Sequence, residues 1–103
     1  MIIRCLAITA AMFAASGAGA DVLAGRAFVE AHCADCHAIG RDDDSAHAAA
    51  PAFRDLGQKY PVEHLAEALA EGIFVGHEDM PEFALGSAEI DAVIGYLASI
   101  QTP

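Results

Sequence analysis

The stretch that most constrains this chain is Cys33-Ala34-Asp35-Cys36-His37. Two cysteines are separated by two residues, and a histidine follows the second directly. Thiols one helical turn apart share a side, so both can reach neighbouring points on one flat apolar partner. The next residue then lies beneath that partner. This is the spacing of covalent haem attachment. Cys33 and Cys36 would form thioethers with the two vinyl groups, and His37 would bind the iron from one side. Three other chemistries use such a pair. A thioredoxin-like motif expects a strand before it and a βαβ unit around it, and neither pattern is present. A zinc site needs four ligands, usually from a second Cys/His cluster. The only other cysteine is Cys5, near the start of the chain. A disulfide between Cys33 and Cys36 would leave His37 without a role.

The first twenty residues read as a signal peptide rather than as part of the domain. Met1 to Arg4 is a short basic start, Cys5 to Ala15 is apolar and alanine-rich, and Ala18-Gly19-Ala20 is a small-residue cleavage site before Asp21. Ser16 and Gly17 interrupt the apolar run, which falls short of the roughly 20 residues a spanning helix needs. Export to the periplasm is therefore expected, with no stable membrane anchor. Cleavage after Ala20 takes twenty of the 103 residues and leaves 83, one domain spanning 21–103. A core that small is marginal alone, and a covalently held apolar group would give the helices something to pack against.

The leader removes Arg4 and no acid, so four basic residues remain against 15 acidic ones, a formal charge of −11. That excludes nucleic acid and anionic membrane surfaces as partners. It suits docking onto a basic surface of a redox protein, and it serves solubility equally well.

Along the mature chain the periodicities are helical and no segment alternates as a strand would, so the class is all-α. Residues 21–33 read as a helix capped by Asp21, with Val22, Phe28 and Val29 on one stripe and Gly25 suggesting close approach of another backbone. Residues 40–50 read as a solvated loop around Asp42-Asp43-Asp44, followed by Pro51 and an apolar patch of Phe53 and Leu56. A second helix starts at Tyr60-Pro61 and runs to Glu71 through Val62, Leu65, Ala66 and Leu69, with Gly72 stopping it. Residues 72–86 lack periodicity, and loops of that length are usually functional. Ser87 is expected to cap a last helix whose inward stripe is Ile90, Val93, Ile94 and Leu97, with Tyr96 alongside.

Iron that only passes electrons needs a sixth ligand, and methionine and histidine are the usual choices. Met80 is the single methionine after residue 20, and it sits in the long loop between Asp79 and Pro81. A core methionine belongs on a helix at apolar spacing, whereas this one is flanked by an acid and a proline. Of His32, His47, His64 and His77, only His77 is a serious rival. His32 adjoins the first cysteine, and His64 reads as solvent-facing.

Taken together, these features resemble a small bacterial class I cytochrome c over residues 21–103. A helix leads into Cys33-Ala34-Asp35-Cys36-His37; then come Pro51, the loop segment Met80-Pro81-Glu82-Phe83, and a closing helix with Tyr96-Leu97. The resemblance implies three or more helices around one covalently bound haem c, the first and last crossing. It puts Gly25 at that crossing, with Val93 and Tyr96 facing it. It implies that the Pro51 carbonyl accepts a hydrogen bond from His37, and that His37 and Met80 are the axial iron ligands on opposite walls. Ala50 stands where relatives often have glycine. The tryptophan that many relatives place near a propionate is absent, with Arg54, Lys59 and Tyr60 as stand-ins. The lysine collar of mitochondrial relatives is absent too.

The function expected is one-electron transfer between redox proteins in a respiratory chain, with no catalysis by the chain itself. Docking is expected around the exposed haem edge, through Glu78, Asp79 and Glu82 beside Met80 and through Asp35. The alternative is a haem enzyme or sensor, a peroxidase or small-gas binder, with an open or labile sixth position and His77 as a distal group.

Overall fold

The computed structural model describes residues 18–72, 80 and 84–103, with side chains from Asp21 onward. Of the expected leader, residues 1–20, all but the last three lie outside this range. Three α-helices, α1 (Ala18–His32), α2 (Leu65–Glu71) and α3 (Ser87–Ile100), are joined by irregular segments and two 3₁₀ stretches, Phe53–Gln58 and Val62–His64. Among the described residues there is no strand. The architecture is all-α, as the periodicities predict.

α1 begins three residues before the expected start, so Asp21 lies in its first turn and is not its cap. Ala18 and Ala20 favour helix, and a carboxylate in the first turn complements the helix dipole. Val29 is fully buried, and Phe28 stacks on His32 with ring centroids 4.5 Å apart. α1 packs chiefly on α3.

Gly25 is where they touch. A Cβ there would stand 2.6 Å from the Ala92 carbonyl carbon and 2.8 Å from Tyr96 Cβ. Tyr96 faces Gly25 as expected, but its companion is Ala92 and not Val93. Positions 92 and 96 lie on one ridge of the helix, four apart. Ala92 is small enough to let the backbones meet, while Val93 turns one position round into the core.

That core is Val29 with Phe53, Leu56, Val62, Val93, Tyr96, Leu97 and Ile100. α3 supplies half of it. Its N-cap is Gly86, and Ser87 is its first helical residue, with no side-chain cap bond. Its C-terminal end is tied to the Phe53–Gln58 turn by Gln101. The Gln101 amide donates to Phe53 O at 2.7 Å and Leu97 O at 2.8 Å, and its Oε1 accepts the Gly57 N–H at 2.6 Å. The Thr102 N–H adds a bond to Arg54 O at 2.8 Å.

The second helix is shorter than its periodicity suggests. Pro61 precedes it, residues 62–64 form a 3₁₀ turn, and the α-helix proper starts at Leu65. Gly72 ends it in the left-handed region at φ 72°, donating its N–H to Ala68 O, a conformation that favours glycine. Val62 is buried, but α2 itself has no buried residue.

Candidate haem-attachment site

α1 runs directly into the motif. Cys33 and Ala34 both donate backbone N–H groups to Val29 O, at 2.8 and 3.0 Å, and Cys36 and His37 donate to Cys33 O at 3.2 and 2.9 Å. The helical turn therefore carries on through the cysteines and delivers His37 to the interior, only 9% exposed. Cys33 and Cys36 are half-buried and not joined to each other. Burial pushes the Cys33 thiol up to about 11. A redox-active or nucleophilic cysteine is tuned the other way, towards thiolate. Among the described residues no three His, Cys, Asp or Glu side chains gather as metal ligands.

The returning segment, 43–53, has no helix before Phe53, yet it is bonded to the motif residue by residue. Cys36 O accepts the His47 N–H at 3.1 Å. His37 Nδ1 lies 2.8 Å from Pro51 O. A carbonyl can only accept, so Nδ1 carries the proton and the neutral ring has its lone pair on Nε2. Ala38 donates to Ser45 Oγ at 2.9 Å and accepts from the Phe53 N–H at 2.9 Å. The Phe53 ring lies against His37, centroids 4.7 Å apart.

The triple-aspartate run is more than a solvated loop. The Asp43 carboxylate accepts the Ile39 N–H at 3.0 Å and the Gly40 N–H at 2.8 Å, and Arg54 donates to Asp43 O at 2.6 Å. Slight desolvation raises the Asp43 carboxyl. Its own N–H and those of Gly40 and Ile39, with the Arg54 charge, outweigh that and hold it below the usual carboxylate range. Tyr96 reaches across from α3 and donates to Ile39 O at 2.5 Å. Burial, aided by Asp43 and Glu30 against Arg26 and Arg41, raises its phenol and keeps it a donor.

On the other side of Pro51 lies an open cleft of about 400 Å³. That is within the range of small-molecule and cofactor sites. Among the described residues its walls are Pro51, Leu56, Lys59, Tyr60, His64, Leu65 and Ala68. Pro51 joins cleft and motif, lining one and bonding the other. Of the three residues expected to stand in near a propionate, Lys59 and Tyr60 line the cleft, whereas Arg54 is engaged with Asp43. His64 is exposed, but it lines the cleft too. Its spacing to Ala68, one helical turn on, was the available signal. Met80 is half-buried. His77, Glu78, Asp79 and Glu82 lie outside the described residues. The Leu85 N–H, bonded to Leu69 O at 2.9 Å, brings the end of that segment back onto α2.

The residues present suit a covalently bound haem: two half-buried thiols on one turn, an imidazole with its tautomer fixed, and an apolar cleft beside it with basic groups at hand. A family model described as cytochrome c oxidase, cbb3-type, subunit III, matches residues 20–97. No curated protein and no solved structure matches the chain.

Proposed function

Because the chain belongs to the cytochrome c oxidase, cbb3-type, subunit III family of haem c electron-transfer domains, we propose that it is a periplasmic monohaem cytochrome c. In this reading it carries single electrons between redox proteins and is not itself an enzyme. Residues 1–20 export it, and residues 21–103 form the carrier.

Bound haem supplies a single-electron couple at its iron. The chain supplies the rest. Cys33 and Cys36 hold the group through thioethers. His37 offers Nε2 to the iron, and its Nδ1–H bond to Pro51 fixes the ring plane and makes the ligand more basic. Met80 would supply a second ligand through its thioether, which would raise the potential. Two protein ligands would leave little to rearrange when the charge changes. Pro51, Leu56, Leu65 and Ala68 would give the bound group an apolar wall. Lys59 and Tyr60 would meet its carboxylates.

The observation that carries this reading is the 2.8 Å bond from His37 Nδ1 to Pro51 O, directly after the two cysteines. It orients an imidazole in the manner of metal-ligating histidines, which donate their other nitrogen to a carbonyl or carboxylate. The direct test is extraction. Denatured wild-type protein should keep its haem through acidified acetone, and Cys36→Ala should leave one thioether and a shifted reduced spectrum. Haem lost from the wild type contradicts the proposal.

The acidic chain suits a redox partner with a basic docking surface. Glu78, Asp79, Glu82 and Asp35 are the candidate contacts. Charge attraction acts mainly on the on-rate, and salt screens it over about 8 Å at physiological ionic strength. The bimolecular electron-transfer rate should therefore fall as salt rises. A rate flat in salt means apolar docking.

A further inference from the structure

The segment leading to Pro51 is held by one side chain in particular, His47. Its backbone N–H is pinned to Cys36 O, and its carbonyl accepts the Ala50 N–H at 3.0 Å. Its ring then accepts the Ala49 N–H on Nδ1 at 3.1 Å. A side-chain acceptor reaching the N–H two residues on is the bond by which asparagine and aspartate build tight turns. Here an imidazole makes it. Because a backbone N–H can only donate, His47 Nδ1 must accept, and the neutral ring carries its proton on Nε2.

The turn closes a small ring of bonds around the motif. Cys36 O holds His47, the turn 47–50 buries Ala50 at 3% exposure, and Pro51 follows with its carbonyl on His37 Nδ1. No helix or strand fixes residues 47–52. The Phe53 N–H on Ala38 O holds the segment at its far end, so the Pro51 carbonyl is set between that anchor and this turn, whose shape His47 helps to fix.

We propose that His47 is a positioning residue: it sets the Pro51 carbonyl against His37 Nδ1, and through that bond tunes the electron-donating power of the axial imidazole. The inference rests on the reading of His37 as an iron ligand. A stronger Nδ1–H bond makes the ligand more basic and favours the oxidised iron, so loosening the turn raises the potential.

The test uses the mature holoprotein and two variants of similar shape, His47→Leu, which removes the acceptor, and His47→Asn, which keeps it. In His47→Leu the midpoint potential should shift upward. Exchange of the His37 Nδ1 proton in the reduced protein should quicken by roughly tenfold, as loss of one hydrogen bond's support implies. His47→Asn should restore both towards wild type. A shared loss of thermal stability in both variants, with potential and exchange unchanged, overturns the proposal. The wild type provides a check that needs no variant. Long-range nitrogen–proton spectra of neutral His47 should show the proton on Nε2, and a protonated Nδ1 overturns it. Absence of histidine ligation in the wild-type spectrum overturns this inference and the carrier reading together. Normal ligation with an unmoved potential overturns this one alone.

Discussion

The α1–α3 crossing and the α2 side are built on different terms. α3 buries six of its residues, Ile90, Ala92, Val93, Tyr96, Leu97 and Ile100, and the last four share a core with Val29, Phe53 and Leu56. Its partner α1 comes close enough that Gly25 has no room for a side chain. α2 has no buried residue, although Leu65 and Leu69 are apolar and half-buried, and Leu65 and Ala68 face an open cleft. One half is deeply packed. The other is packed more shallowly: Leu65 and Leu69 rest half-buried against the core, and Leu65 and Ala68 also line the cleft. A short helix of seven residues is not stable on propensity alone and depends on what it packs against. The difference teaches where the proposed haem would add most to the fold: on the α2 side and not at the α1–α3 crossing.

The comparison breaks most visibly if the group is never attached. Cys33→Ala with Cys36→Ala should leave α2 amides at 65–71 with almost no exchange protection. Those of α3 at 87–100 should keep more of theirs. Equal protection in both helices would mean that α2 does not depend on the haem. Overpacking the crossing comes next. Gly25→Leu should destabilise the holoprotein by about 3 kcal/mol, because the neighbours that must give way are the Ala92 backbone and Tyr96 Cβ. Thermal unfolding would reveal it.

Paired truncations sharpen the contrast. Leu97→Ala, at a site only 3% exposed, should cost about 2–4 kcal/mol with or without haem. Leu65→Ala should cost well under that in apoprotein and clearly more in holoprotein, if the cleft it lines is where the proposed haem packs. Denaturant unfolding of both forms decides this. Insensitivity of the Leu65 effect to haem would remove the cleft from the account.

The smallest expected effect belongs to Asp43. Its carboxyl is held below the usual range in the folded chain, so its contribution is present above the unfolded-state value, about 3.9, and is lost as pH falls through the lower folded value. Asp43→Asn should lower stability slightly at neutral pH and match the wild type once pH falls below the lower folded value, so the acid limb of the profile flattens. The carboxylate is largely exposed, and such pairs are weak.

The motif and the helix periods made much of this legible in advance. Val29, Val93 and Leu97 were assigned inward by spacing and are buried. Gly25 was read as a point of close backbone approach by its lack of a side chain, the resemblance put it at a helix crossing, and it touches α3. Capping was less legible. Asp21 and Ser87 look like caps, but alanine extends α1 past the first and Gly86 takes the place of the second. The loop 40–50 reads as featureless because its order comes from single side chains, Asp43, Ser45 and His47. Each of these bonds one or two backbone groups and leaves no periodic trace. His64 was read as solvent-facing, and it is exposed; the cleft it also lines is formed by residues distant in sequence, Pro51 among them.

Ligation of the iron by Met80 opposite His37 is the claim on which the carrier reading turns. It is tested most directly by the far-red sulfur-to-iron band in the visible spectrum of the oxidised holoprotein. The account predicts that the band is present in the wild type and lost in Met80→Ala, with the histidine still bound. A wild type that lacks the band and takes up cyanide or carbon monoxide readily would contradict it, and would point to an open-site haem enzyme or sensor instead.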